Sequence, residues 1–382
     1  MGRIRRSLSQ SPVPAIFLWS RLALWVAAIF ALLVFVPNRH PQANRWDSER
    51  LHELGYGIDV WARWDSDWYL RIAEEGYADS PSSTPAFFPL YPGLVAILGR
   101  ALAGHYVLAG VLLSLAACGA AFLLLYRLAL PRLGEEGARR AVLYLALFPT
   151  ALFLQAVYSE SLYLALALGA FLAAERGRFL GAGVLVGLAM LTRPVGVALL
   201  PALALLAWRS QARRRSVLYL AVAAPIAALY PLLLALWIGE PFAFLRAQEG
   251  IWQRTVSPAG PLGGLWEGLA APFDTEPLRE LAINLQQLGF TLLFLALAIG
   301  AWRRFGTPFG LFAFGSLAIP LSVPAERLPL LSMSRFGLVV FPLVLMLAAL
   351  GARPRAHEAI VAVSSLLLGL AVVQWALWQW VA

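Results

Sequence analysis

The sequence predicts an all-α, polytopic transmembrane protein, and three observations carry that expectation. Hydrophobic residues make up 60% of the 382 positions and charged residues only 13%, where a soluble domain is about a quarter charged. Apolar runs recur along almost the whole chain, separated by short loops that carry Arg. One polar stretch, residues 61–92 (WARWDSDWYLRIAEEGYADSPSSTPAFFPLYP), interrupts this pattern and crowds charge and aromatic rings together.

Composition also narrows the function. The formal net charge is +9, but every basic residue is Arg and many of these cluster in short loops between apolar runs. That is the signature of membrane topology, not of a nucleic-acid surface. Cys118 is the single cysteine, so neither a disulfide framework nor a thiolate metal site can form. His40, His52, His105 and His357 are scattered. No metal ligand is assigned; a divalent ion held by carboxylates alone stays open.

Taken in order, Arg3, Arg5 and Arg6 precede an apolar run at 15–36. The run is too long for a signal-peptide core and lacks a small-x-small cleavage site, which predicts an uncleaved first span with a cytoplasmic N-terminus. The first extracytoplasmic loop, about 37–103, holds most of the acids: Asp47, Glu49, Glu53, Asp59, Asp65, Asp67, Glu74, Glu75 and Asp79. Within it, Trp61, Trp64, Trp68 and Ile72 share a helical face suited to the membrane interface, and 90–102 reads as a second interfacial helix. Spans are expected at 105–130, 141–157, 161–174, 179–191, 195–208 and 217–238. A second long outer loop covers about 239–286, and further spans follow at 287–302, 308–323, 336–350 and 358–381. This makes about eleven spans, several shorter than a perpendicular crossing needs. The whole chain, 1–382, reads as a single transmembrane domain.

Orienting each Arg-rich loop inward puts Asp65, Asp67, Glu160, Arg193, Arg335 and the late-loop Arg246 and Arg254 on one, extracytoplasmic side. Each has a plain structural reading. Arg193 before Pro194, and Arg335 after a Ser-Met-Ser tip, can snorkel; Glu160 can cap the span behind it; Asp67 and Arg71 form an i, i+4 pair. Together they suit group transfer. A carboxylate takes a proton from an acceptor hydroxyl, while guanidinium groups hold a leaving phosphate, often bidentately. Tyr69 shares the face of Asp65 by i, i+4 spacing.

At these residues the sequence resembles the PIG-V family, the mannosyltransferases that add the second mannose to GPI anchors, with their prokaryotic relatives. The matching pieces are Arg63-Trp64-Asp65, RIAEEGY, Ala86-Phe87-Phe88-Pro89, FPTALFLQAVYSESLYL, LTRPVG and SMSRF, in that order. The resemblance implies a GT-C-like fold. It implies an inverting enzyme of the plasma membrane that moves a sugar, mannose first, from a polyprenyl-phosphate carrier to an extracytoplasmic glycolipid, glycan or protein. It makes Asp65 the general base, with Asp67 and Glu160 as further acids. Arg335, Arg193, Arg63, Arg254 and Tyr69 are expected at the donor phosphate or substrate. The competing expectations are a transporter or lipid flippase without covalent chemistry, and another GT-C transferase such as a protein O-mannosyltransferase.

Overall fold

The computed structural model describes residues 12–39, 46–78, 82–250, 252–274 and 278–381. Arg3, Arg5, Arg6, His40 and Asp79 lie outside the described residues. Among the described residues no strand forms, and the one β-type pairing is the bridge between Arg254 and Ala325. The chain is a nearly all-helical, multi-pass membrane protein.

Helix α1 (Val13–Val34) leads through a helical turn, Tyr56–Asp59, to α2 (Ser66–Glu75) and α3 (Leu90–Ala101). Helix α4 (Tyr106–Ala146) is two arms meeting at Gly134, whose φ of 68° and ψ of −177° only glycine adopts readily. Then come α5 (Glu160–Glu175), α6 (Phe179–Met190), α7 (Leu199–Trp208), α8 (Arg213–Leu220) and α9 (Ala223–Trp237). The short helices α10 (Ala243–Gly250) and α11 (Pro261–Asp274) occupy the second polar segment. The chain continues through α12 (Leu278–Phe305), α13 (Thr307–Leu321), α14 (Met333–Leu338), α15 (Phe341–Leu350) and α16 (Pro354–Ala376). Helix α4 packs along α1 and α5, α16 along α1, and α12 between α13 and α15.

Among the described residues, 5 helical stretches have the length and composition to cross a bilayer unaided: α1, α4, the α8–α9 pair, α12 and α16. The other apolar helices are shorter. Several of the eleven expected crossings are therefore arms of broken helices. The expected span 141–157 stays helical only to Ala146. Pro149 lacks an N–H and would clash with the carbonyl of Leu145, so 147–159 continues as turns and one 3-10 stretch, Ala151–Leu154. The expected span 336–350 breaks likewise between α14 and α15, where Pro342 opens the second piece.

The first loop also departs from expectation. No helix runs from Trp61 to Ile72; α2 starts at Ser66, and Trp61 to Asp65 form turns. Trp61 is not an interfacial anchor, because it is fully buried edge-on against Trp25 of α1. Two contacts impose this. The Asp59 carboxylate accepts from the amides of Glu53, Leu54 and Gly55 at 2.8–3.1 Å, and the Trp375 indole on α16 donates to the Val60 carbonyl at 2.6 Å.

Backbone that leaves helix inside an apolar bundle needs new partners. Arg21, buried on α1, supplies two: Nη1 donates to the Ala151 carbonyl at 3.0 Å and Nη2 to that of Ala146 at 3.2 Å. Replacing Arg21 with Met should leave both carbonyls unsatisfied at about 1–3 kcal/mol each. Thermal unfolding in nanodiscs should show a clear fall in Tm, and an unchanged Tm would exclude this role.

Candidate active site

Asp65 sits in the turn before α2, and the neighbouring bundle fixes it there. Its amide donates to the Tyr158 hydroxyl at 3.0 Å, which in turn donates to the Arg63 carbonyl at 3.2 Å. The Val157 amide donates to the Trp61 carbonyl at 2.9 Å. The broken segment 147–159 thus holds the acid-bearing loop by its backbone and leaves the Asp65 carboxylate free to point elsewhere.

That carboxylate meets Arg335. Nη1 of Arg335 donates to Oδ2 of Asp65 at 2.9 Å. Arg335 also approaches Glu160, with Nε 3.5 Å from Oε1, and Arg193 reaches the same oxygen at 2.6 Å. Glu160 is fully buried in the first turn of α5, where the helix dipole favours its charge. Burial works against the charge of Arg335, but the Asp65 and Glu160 carboxylates outweigh it and hold the guanidinium protonated beyond its ordinary range.

A third guanidinium completes the cluster. Arg254 is buried, and donates to the carbonyls of Val323 at 3.2 Å and Leu331 at 2.8 Å. Burial first, and then the Arg335 cation, pull its pKa down to about 10. Arg193, Arg254 and Arg335 all lie beside the Phe336 ring, at 6.0, 5.6 and 5.7 Å from its centroid. Against these cations stand the two carboxylates of Asp65 and Glu160. The cluster carries an excess positive charge, and among the described residues Arg254 forms no ion pair with a carboxylate, though it feels the field of Asp65. Such an arrangement can take an anion.

The backbone is strained where it presents these groups. Trp64 (φ 53°), Gln253 (φ 47°) and Ser332 (φ 69°) are left-handed non-glycine residues. They lie directly before Asp65, directly before Arg254, and at the start of the turn bearing Arg335. Each costs about 1–3 kcal/mol and persists only where the surroundings over-determine it. At Ser332 the surroundings are legible. Gln287 on α12 accepts from the Ser334 amide at 2.9 Å and donates to its hydroxyl at 3.2 Å, while Thr150 donates to its carbonyl at 3.0 Å.

The structure brings together Asp65, Glu160, Arg193, Arg254, Arg335 and Tyr69. The Tyr69 hydroxyl lies 2.8 Å from Ser159 Oγ, which also accepts from Arg193 at 3.2 Å. Burial and the Glu160 carboxylate push the Tyr69 phenol up to about 12. Asp67 and Arg63 point away from this cluster. Asp67 pairs with Arg50 at 3.2 Å, with Arg71 at 3.7 Å and with the Ser48 hydroxyl. Arg63 donates to the carbonyls of Asp59 and Ala62 and lies 4.4 Å over the Trp378 ring. Sequence reasoning missed Tyr158, Ser159, Phe336 and Gln287. The first three lie inside or beside matched motifs and could have been found there; Gln287 carries no local signal. Among the described residues no group of 3 or more His, Cys, Asp or Glu side chains stands close enough to hold a metal ion.

Comparison with known proteins adds the following. The sequence pattern of the family described as mannosyltransferase (PIG-V) matches residues 55–248, a stretch that contains Asp65, Glu160 and Arg193. GPI alpha-1,6-mannosyltransferase 2 of Rattus norvegicus is 34% identical over 195 residues, covering 46% of this chain and 38% of the relative. The Mus musculus protein of the same name is 32% identical over 194 residues, with the same coverage of 46% and 38%. The match therefore spans well under half the length of either relative. In three dimensions the crystal structure of ArnT from Cupriavidus metallidurans bound to undecaprenyl phosphate superposes with a TM-score of 0.53 at 16% identity, over 94% of this chain and 63% of that one. The fold is shared, as the GT-C resemblance implies.

The Asp65–Arg335 contact predicts energetic coupling. Asp65→Asn and Arg335→Met should each lower stability, and the double variant should lose less than the sum, by about 0.5–3 kcal/mol. Strict additivity in denaturation of the four proteins would show that the pair does not form.

Proposed function

The chain belongs to the mannosyltransferase (PIG-V) family, and from that premise we propose that it is an inverting glycosyltransferase that moves a hexose, mannose first, from a polyprenyl-phosphate carrier to an acceptor hydroxyl. The observation that carries this reading is Asp65, a carboxylate held against Arg335 in a cluster with excess positive charge. It supplies a base and a phosphate clamp within one side chain's reach of each other.

In the reaction the acceptor oxygen attacks the anomeric carbon. The bond from that carbon to the phosphate oxygen breaks, the hydroxyl proton passes to Asp65, and the polyprenyl phosphate leaves with the bonding electrons. Arg335 and Arg254 stabilise the charge on the departing phosphate, and such stabilisation is usually the largest catalytic contribution. Glu160, pinned by Arg193, keeps Arg335 aimed between itself and Asp65. When a donor phosphate competes for Arg335, it loosens the pair and frees the Asp65 carboxylate for the acceptor. The donor then binds before the acceptor.

Sidedness supports an extracytoplasmic site in the plasma membrane. The corner at Gly134 is flanked by Arg127, Arg132, Arg139 and Arg140, and the loops after α5, α7 and α15 and the last turn of α12 are also Arg-bearing. By the positive-inside rule these turns face the cytoplasm. The acceptor is an extracytoplasmic glycolipid, glycan or protein.

Purified protein in nanodiscs should transfer label from polyprenyl-phosphate-mannose to an acceptor in an extract of its own membranes. Asp65→Asn, while still folded, should lower the rate about 10²–10⁴-fold; near-normal transfer would sink the assignment. Product-inhibition patterns should show ordered binding with the donor first, and random order would remove the competition for Arg335 from the mechanism.

A further inference from the structure

Around Asp65 stands a set of aromatic rings that the transfer chemistry leaves unused. Trp64 meets Trp378 edge-on at 5.6 Å between centroids and Trp46 at 6.2 Å. Trp68 meets Trp46 at 6.5 Å, stacks on Phe87 at 6.1 Å and tilts against Trp252 at 6.4 Å. Phe87 closes on Trp252 at 5.5 Å. These rings come from the first loop, from the second polar segment and from the end of α16.

Ordinary aromatic packing would account for the rings, but not for their polar edges. Elsewhere near this loop the indole N–H groups find acceptors: Trp25 donates to the Gly57 carbonyl at 2.5 Å and Trp375 to that of Val60 at 2.6 Å. The N–H groups of Trp64 and Trp68 are shut off from solvent and have no acceptor among the described residues. Trp61 shares this property but faces Trp25 on α1, away from the wall. A buried donor left unpaired costs about 1–3 kcal/mol, and native proteins hold few of them. Here one belongs to the residue next to Asp65, whose own backbone is strained, and the other lies one helical turn further on.

We propose that this wall binds a hexopyranose ring, with the indole N–H groups of Trp64 and Trp68 donating to sugar hydroxyls. A pyranose offers an apolar C–H face to an aromatic ring and a rim of hydroxyl acceptors to N–H donors. The wall supplies both kinds of partner beside the carboxylate. Neither N–H meets solvent while the rings stay as they are, so the sugar enters by moving one ring aside. Trp46, carried on non-helical chain and in contact with both Trp64 and Trp68, is the ring that gives way. This proposal rests on the transferase reading for the identity of the sugar, and its chemistry fits the hexose of the donor or that of the acceptor.

The test uses the full chain in detergent, with 15N-indole tryptophan and signals assigned through Trp64→Phe and Trp68→Phe. Three probes are added in turn: a short isoprenyl phosphate bearing mannose, the same isoprenyl phosphate without sugar, and octyl α-D-mannopyranoside. Both indole protons should move downfield with a mannose-bearing probe. Movement with the phosphate-linked sugar assigns the wall to the donor, and movement with the octyl glycoside assigns it to the acceptor. Trp68→Phe should weaken that probe about 3- to 10-fold and leave sugar-free isoprenyl phosphate unchanged. Signals that stay put with both sugar probes, or move equally with isoprenyl phosphate alone, overturn the proposal. The shift needs no turnover. A chain that shows it without transferring label refutes the transferase reading and not the wall.

Discussion

Backbone that leaves helical geometry inside an apolar bundle must have each freed amide and carbonyl met by another part of the protein. Residues 147–159 impose that demand, and the site is organised by the answer. Arg21 meets the carbonyls where α4 stops. Thr150 reaches the turn bearing Arg335. Val157 and Tyr158 tie to the backbone of Trp61, Arg63 and Asp65. Ser159 and Glu160 then carry the Tyr69, Arg193 and Arg335 contacts. A continuous helix through this stretch would satisfy its own backbone and reach none of these partners.

Electrostatics then follows from burial. Glu160 is removed from water and would be intolerable alone, yet two guanidinium groups converge on it and make it a fixed point. Arg335 is divided between that fixed point and Asp65. Arg254 donates to two carbonyl oxygens and, among the described residues, to no carboxylate, which leaves it a cation suited to an incoming anion. An isolated ion pair would be a weak argument for function; an unequal cluster with strained backbone beside three of its members is a stronger one.

Much of this was legible in the sequence, because charge stands out against so apolar a background. Glu160, Arg193 and Arg335 could be named from the ends of apolar runs and Asp65 and Arg254 from the two polar outer loops, as could Asp67 and Arg63, which pair elsewhere; the helical class followed from composition. Two things were not legible. The segment FPTALFLQAVY is largely apolar and reads as part of a span, although Pro149 makes a helix there untenable; hydropathy reports solvent preference, not backbone geometry. Side-chain direction within the Asp65 turn was hidden as well. Arg63, Asp65 and Asp67 lie two residues apart and look equivalent, but the positive φ of Trp64 and the start of α2 at Ser66 send them to three different surroundings. Gln287 could not be found from sequence because its importance lies wholly in a contact 47 positions along the chain.

The distance in sequence between the partners has a bearing on biogenesis. Asp65 and Arg335 are separated by 270 positions, and the Val60 carbonyl waits for an indole on α16, 315 positions later. A nascent chain enters the membrane from its N-terminus. The acid-bearing loop, Glu160 and Arg193 are thus all made while the turn holding Arg335 is still unsynthesised. Until α14 and α16 arrive, the carboxylate of Asp65 has no Arg335 and its loop lacks the α16 clamp. The Asp65–Arg335 pair therefore closes last, with the final helices, and no partly inserted intermediate carries the full charge cluster.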